Sequence, residues 1–335
     1  MYDVVAIGSA TRDNFLKANY PLTNWPAAPL KKAIVLPLGE KLGVDEAYFK
    51  IGGNSANASV TFARHGFKTA CLAKVGNDLP GAEILEQLKK EGVSTSLSVI
   101  SNEKPTAYSA LLLRNGERTI LSYHGASDTL SIRDLDLEKL KARWWYISLA
   151  GESDAMYPSL IQFAKKNKIK VAFNPSGHHI KHWPNEILDS LKDIEFLVLN
   201  TGEAADLLKM PYKKEKEVFK ELDKRMPGIV AITDGPNGAI VSDGKRIYRS
   251  GIYREKEIVD RTGAGDAFGS GFTAMLARFR NYGDADLIKK AIRFAAANST
   301  SVVEHIGATD GILTREEFDK DPRWKDLEIK IESLT

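Results

Sequence analysis

The stretch Asp260-Arg261-Thr262-Gly263-Ala264-Gly265-Asp266-Ala267-Phe268 sets small residues and a carboxylate at the head of a helical pattern, Ala267 to Phe279. Small residues there let a ligand approach the backbone, and the first N–H groups of a helix point outward without intrahelical partners. They lie at the positive end of the helix dipole, which suits them to an anion. A phosphoryl group in transfer is such an anion, and its transition state gains from donors fixed in advance. Asp266 would repel a resting anion. Taking a proton from an attacking hydroxyl gives it a use there. The same residues would also make a plain glycine turn, with Asp266 as the helix N-cap.

A second cluster is Gly52-Gly53-Asn54-Ser55-Ala56-Asn57. Amides donate and accept, as hydroxyls do, so this cluster suits a polyhydroxylated ligand. A tight turn with capping asparagines is its other reading. Two nucleotide patterns are excluded. The chain has no G-x-x-x-x-G-K-[ST] loop. Gly269-Ser270-Gly271-Phe272-Thr273-Ala274 fits a loose dinucleotide pattern but lies inside a helical run, not in a strand-to-helix turn. His178, His179 and His182 lie between Pro175 and Pro184 in an expected loop. They lack a third ligand in a fixed motif and read as structural or solvated histidines. Trp144-Trp145-Tyr146 reads as sheet core. Cys71, the only cysteine, lies in an apolar run and reads as an inert buried thiol.

These residues need a scaffold, and the chain supplies alternating strands and helices. Strands are expected at Tyr2 to Gly8, Thr69 to Val75, Trp144 to Leu149, Ile169 to Asn174, Glu195 to Asn200 and Gly228 to Thr233. Helices are expected at Asn54 to His65, Pro80 to Glu91, Ala155 to Asn167 and Leu287 to Glu304. Such alternation predicts a parallel sheet between helix layers, a three-layer α/β/α domain spanning residues 1–335. Two stretches break the rhythm, about 15–51, with four prolines, and about 104–123. In the second, Tyr108 to Leu113 and Arg118 to Tyr123 flank Asn115-Gly116, a hairpin signal. Both stretches are expected to form a small β-sheet lid that closes over a site and excludes water. Arg118 and Tyr123 lie in that lid, within reach of a substrate.

The 335 residues carry a net charge of only +3, which predicts neither a nucleic-acid nor a membrane partner. The start of the chain lacks a basic segment followed by a long apolar run. No stretch approaches the ~18 apolar residues of a membrane span, so a cytoplasmic location is expected.

In these motifs the sequence resembles the ribokinase-like (PfkB) carbohydrate kinase family over nearly its whole length. Gly52-Gly53 through Gly76-Asn77-Asp78 resembles the N-terminal signature, and Asp260 to Phe268 the highly specific C-terminal one. Asn200-Thr201-Gly202-Glu203 matches the N-x-x-E motif, and Thr233 to Gly238 the nucleotide-binding strand and turn. The resemblance implies an ATP- and Mg²⁺-dependent sugar or nucleoside kinase with Asp266 as base. The N–H groups of Gly263, Ala264 and Gly265 would form an anion hole. Asn200 and Glu203 would organise Mg²⁺ through water and the nucleotide phosphates. Thr233 and Gly235 would line the ATP site, with Arg261 on the phosphates. Asp13, Gly53 and Asn57 would hold substrate hydroxyls. Asp260 and Thr262 occupy positions that hold K⁺ in some members. Asn298 falls in a helix that borders the adenine in the family. Many relatives dimerise through the lid sheet, so a homodimer is expected. In ribokinases proper a lysine-glycine step follows the glycine pair, and an asparagine stands near the first aspartate. Here Asn54-Ser55 and Thr11 occupy those places, which leaves fructokinase-like, keto-deoxy-sugar and nucleoside kinase readings open. A catalytically silent sugar or nucleotide sensor is the reading from another class.

Overall fold

In the computed structural model, residues 1–28, 30–279 and 284–334 are described. Pro29, one of the prolines of the first irregular stretch, lies outside them. A nine-stranded sheet forms the centre. Its parallel part runs, in spatial order, through Ile229–Thr233, Phe196–Asn200, Lys170–Phe173, Ala142–Ser148, Tyr2–Gly8 and Thr69–Leu72. Beyond Ile229–Thr233 the sheet continues antiparallel through Ala239–Ser242, Arg246–Ser250 and Ile329–Ser333.

The parallel strands read as unbroken apolar runs because both their faces are covered. Side chains alternate between the faces. Val5, Ile7, Trp145, Ile147 and Phe173 pack under the helices Tyr157–Lys166, Thr201–Leu208 and Glu215–Asp223. Val4, Ala6, Trp144, Tyr146 and Ala172 pack under Asn54–Arg64, Ala264–Arg278 and Ala285–Val303. The result is the three-layer α/β/α arrangement. Trp144, Trp145 and Cys71 are all buried in it, and burial pushes the Cys71 thiol up to about 11.

A four-stranded sheet stands apart, in the order Glu117–Tyr123, Ala107–Arg114, Thr11–Lys17, Glu46–Gly52. It therefore begins at Thr11, ahead of the irregular stretch. Arg114 pairs with Glu117 across a two-residue turn, Asn115-Gly116, in which both residues have positive φ (52° and 77°). That is the turn geometry that matches the twist of a hairpin.

The structure departs from expectation in further places. The run Thr69 to Val75 divides: Thr69–Leu72 joins the large sheet, while Lys74–Gly76 pairs with Val99–Ser101. The helix expected from Ala155 begins at Tyr157, after the 3₁₀ turn Gly151–Met156. The histidine segment is not a loop but a short helix, Gly177–His182, capped by Ser176. Pro184 then starts the next helix, a position where its missing N–H costs nothing.

Candidate active site

The parallel strands all end at one edge of the sheet, where crossings between strands leave a crevice. The residues Ser148, Asn200 and Thr233, and Ser9 and Asn174 just past their strands, lie there. Two cavities of about 380 and 370 Å³ and an apolar cleft occupy that edge.

The first cavity lies under the small sheet. Asp13, Gly53, Asn57, Ser109, Ser122 and Asp128 are among its walls. Asp13 is supplied by strand Thr11–Lys17, and it fits only because its neighbour is glycine. A Cβ on Gly52 would lie 1.9 Å from its carboxylate. Gly53 has φ 95°, and a Cβ there would meet the Ser9 carbonyl at 2.6 Å, so only glycine fits this turn. Burial pushes the Asp13 carboxyl up to about 7.

The second cavity is lined by Asn174, Asn200, Glu203, Thr233, Arg118 and Arg261, among others. Asn200 and Glu203 cap one helix reciprocally. The Glu203 N–H donates to Asn200 Oδ1 (2.8 Å) and the Asn200 N–H to Glu203 Oε2 (2.7 Å). This box fixes both side chains at the cavity wall. Burial raises the Glu203 carboxyl, and the charge of Asp266 raises it further. Arg261 sits 3.9 Å from Glu255, whereas Arg118 has a buried Nε with no acceptor among the described residues.

Asn54, Gly263 and Asp266 line both cavities. Asn54 is braced by its amide on Ser148 Oγ at 2.9 Å. The helix carrying Asp266 begins at Ala264, with Gly263 as its N-cap at φ 79°. Asp266 is therefore the third residue of the first turn, and the N-cap reading of it is overturned. A Cβ on Gly263 would lie 2.3 Å from that of Ala308, so the loop packs too closely for any other residue. A Cβ on Gly265 would meet nothing within 4 Å, which leaves the helix start open. The first bond of this helix is donated by Ala267 to the Gly263 carbonyl (2.8 Å), so the earlier N–H groups are free to face a ligand. Asp266 Oδ2 accepts from the Asn57 amide at 2.9 Å, and burial pushes its carboxyl up to about 6.

Thr233 and Gly265 line the second cavity and also the apolar cleft, where they meet Gly235, Ile252, Phe268, Ala296 and Ser299. The three spaces thus form one path with Asp266 and the helix start at its middle. Ile252, Ala296 and Ser299 carry no motif. The strand alternation of Arg118, Ile120 and Ser122 was the available signal for Ser122.

Asn298 does not border the cleft. It is fully buried, donating to the Ala267 carbonyl and accepting from the Leu313 N–H, both at 2.9 Å. It ties the helix start to the following loop. Asp260 braces the same loop, accepting from the Thr262 N–H (3.0 Å) and hydroxyl (2.7 Å) and from the Gly307 N–H (3.3 Å). His178 pairs with buried Asp154 at 2.8 Å. Among the described residues no group of three or more His, Cys, Asp or Glu could hold a metal by itself. No helix among them is long and apolar enough to cross a membrane.

A three-layer fold with an open helix start between two polar cavities suits a phosphotransferase. The family model described as pfkB family carbohydrate kinase matches residues 31–315, and the chain belongs to that family. It is accordingly an ATP-dependent phosphotransferase with an alcohol group as acceptor, a sugar or nucleoside kinase. It is 28% identical to ribokinase from Haemophilus influenzae over 290 residues, 83% of this chain and 89% of that one. The structure of Arabidopsis thaliana ribokinase complexed with ribose and ATP shares the ribokinase-like fold, with a TM-score of 0.77 and 23% identity over 97% of this chain and 99% of that one. A nucleoside kinase from Methanocaldococcus jannaschii shares it at 0.74, with 18% identity over 97% and 98%.

Proposed function

We propose that this protein transfers the γ-phosphoryl group of ATP to a hydroxyl, a primary CH₂OH, of a small sugar bound under the four-stranded sheet. The observation that carries this reading is Asp266, held by Asn57 at the junction of the two cavities beside an open helix start. Asp266 takes the hydroxyl proton as the oxygen attacks the γ-phosphorus in line. The bond to the β,γ-bridging oxygen breaks and ADP leaves. The N–H groups of Gly263, Ala264 and Gly265 hold the charge that gathers on the transferring group. A base raised to about 6 is ionised at neutral pH yet basic enough to help.

Asp13, Gly53 and Asn57 hold the sugar, whose hydroxyls donate to the Asp13 carboxylate. Thr233 and Gly235 lead to the apolar cleft, which suits an adenine ring. Arg261 and Arg118 face the phosphate cavity. Asn200 and Glu203 fit a water-mediated Mg²⁺, a hard cation that takes oxygen ligands and keeps its waters. The charge of Asp266 raises the Glu203 carboxyl, and a cation there would offset it. When bound, the ion neutralises the phosphate oxygens. Asp260 and Thr262 brace the loop, and the remaining lone pairs of Asp260 are what K⁺ would use. The small sheet acts as a lid. Its strands carry Asp13, Arg118 and Ser122, so its position sets the closed site. Its far face supports a homodimer.

An ADP-release assay with ATP and Mg²⁺, with and without K⁺, tests the reading across ribose, fructose, keto-deoxy-gluconate, adenosine and cytidine. Turnover confined to sugars supports it. Turnover confined to nucleosides replaces sugar with nucleoside on the same site. Silence with ATP binding intact turns the reading to a sensor.

A further inference from the structure

The cavity under the small sheet holds a third carboxylate besides Asp13 and Asp266. Asp128 lies in the 3₁₀ turn Gly125–Thr129 and lines the same space. That turn is tightly held: the Ala126 N–H donates to the Pro105 carbonyl (2.7 Å) and Lys74 Nζ to the Thr129 carbonyl (3.0 Å). Asp128 Oδ1 is closed off from solvent and has no hydrogen-bond donor among the described residues. It packs against the bare backbone of Gly151, where a Cβ would lie 1.9 Å away. No lysine or arginine forms an ion pair with Asp128 among the described residues, and its charge adds to the rise of the buried Asp154 carboxyl.

A half-buried carboxylate with an orphaned oxygen and a like charge nearby weakens a fold. Oδ1 is sealed against Gly151, so the half-buried carboxylate can meet a ligand only through its other oxygen, and donors from a molecule in the cavity it lines would offset its charge. The rest of that wall points the same way. The Asn57 Oδ1 acceptor is also buried and unmatched. Further polar groups around it include Ser9, Thr11, Ser109, Ser122, His124 and Ser127, and neither lysine nor arginine lines the cavity. Such a space is rich in unspent acceptors and hostile to a second anion.

We infer that Asp128 is a specificity residue that grips hydroxyls of the acceptor away from the reacting one, and that it selects neutral polyhydroxylated substrates over sugar acids and sugar phosphates. This rests on the kinase reading above. With Asp13 and Asp128 both accepting, the acceptor is held at two places, and discrimination comes from both attraction and repulsion. A carboxylate or phosphate on the acceptor would face three acidic groups with no lysine or arginine in the wall to meet it.

The test compares the wild type with Asp128→Asn on D-ribose against D-ribonate and on D-fructose against fructose 6-phosphate. The wild type should favour the neutral member by about 100-fold or more in kcat/KM, the scale of losing a charged contact and adding repulsion. Asp128→Asn should raise KM for the neutral sugar by about tenfold or more, with kcat and the KM for ATP within about twofold. Its melting temperature without ligand should equal or exceed that of the wild type. A purely structural aspartate would do the reverse, lowering the melting temperature and sparing KM. An unchanged KM in the variant, or equal use of the anionic sugars by the wild type, overturns the inference. If no acceptor turns over, the kinase reading has failed separately. Calorimetric binding of the same four compounds then decides: neutral sugars bound by the wild type and weakened in the variant sustain the role of Asp128, and any other pattern ends it.

Discussion

Asp13 carries the clearest pH signature among the site residues. Burial pushes its carboxyl up to about 7, against the pull of a hydrogen bond with Ser109 and with added push from Asp260 and Asp266. In an unfolded chain an aspartate titrates near ~3.9. The folded state therefore holds an extra proton between those values. The stability this confers is present below about pH 4 and is lost as pH rises through about 7. Asp13→Asn has no charge to bury. Its melting temperature should exceed that of the parent at about pH 8, and the gap should close near pH 4. A thermal melt series across that range checks this, and a gap independent of pH would contradict it. The same variant should bind sugar about tenfold or more weaker, because a carboxylate accepts more strongly than an amide. Asp13 was legible in the sequence only through its resemblance. Asp128 was not legible, because its value comes from a fold that brings residues far apart in the chain to one cavity.

The start of helix Ala264–Arg278 shows what a single element contributes. Its open first turn is readable from Gly263-Ala264-Gly265, but the pattern puts the boundary at Ala267, three residues late. Glycines lower helix propensity, so they masked the first turn. Tertiary packing decided the matter: Gly263 nests against Ala308, and Asn298 fastens the Ala267 carbonyl. Gly263→Ala must shift that contact and adopt φ near 79°, which costs about 1–2 kcal/mol for an L-residue. The N–H groups would then lose their aim, and kcat should fall by about 10²–10³-fold, the loss seen when one such donor is removed. Steady-state kinetics with a matching circular-dichroism spectrum checks this. Normal kcat would show that these N–H groups do not carry the transition-state charge. The hairpin around Asn115-Gly116 was readable for the opposite reason, since its turn chemistry is local. The apolar cleft was not, because Ile252, Ala296 and Ser299 arrive from separate elements without a pattern.

For the whole molecule, the small sheet has two distinct faces. Arg118, Ile120 and Ser122 turn towards the cavities. On the far face Phe49, Tyr108 and Leu121 are exposed, at 58%, 43% and 55%. An apolar sheet face of this kind is a natural surface for self-association. We expect a dimer in which these faces meet, and Leu121→Asp should yield a monomer by analytical ultracentrifugation. A monomeric wild type would remove the dimer from the account and leave the catalytic site as described.

The central claim is that Asp266 removes the acceptor proton, and Asp266→Asn tests it most directly. The variant keeps the shape of the side chain and a partner for the Asn57 amide. Calorimetry should find ATP and sugar bound within a few-fold of wild type, while kcat falls by about 10²–10⁴-fold, the usual share of a positioned base. Intact binding with near-wild-type kcat would contradict the claim.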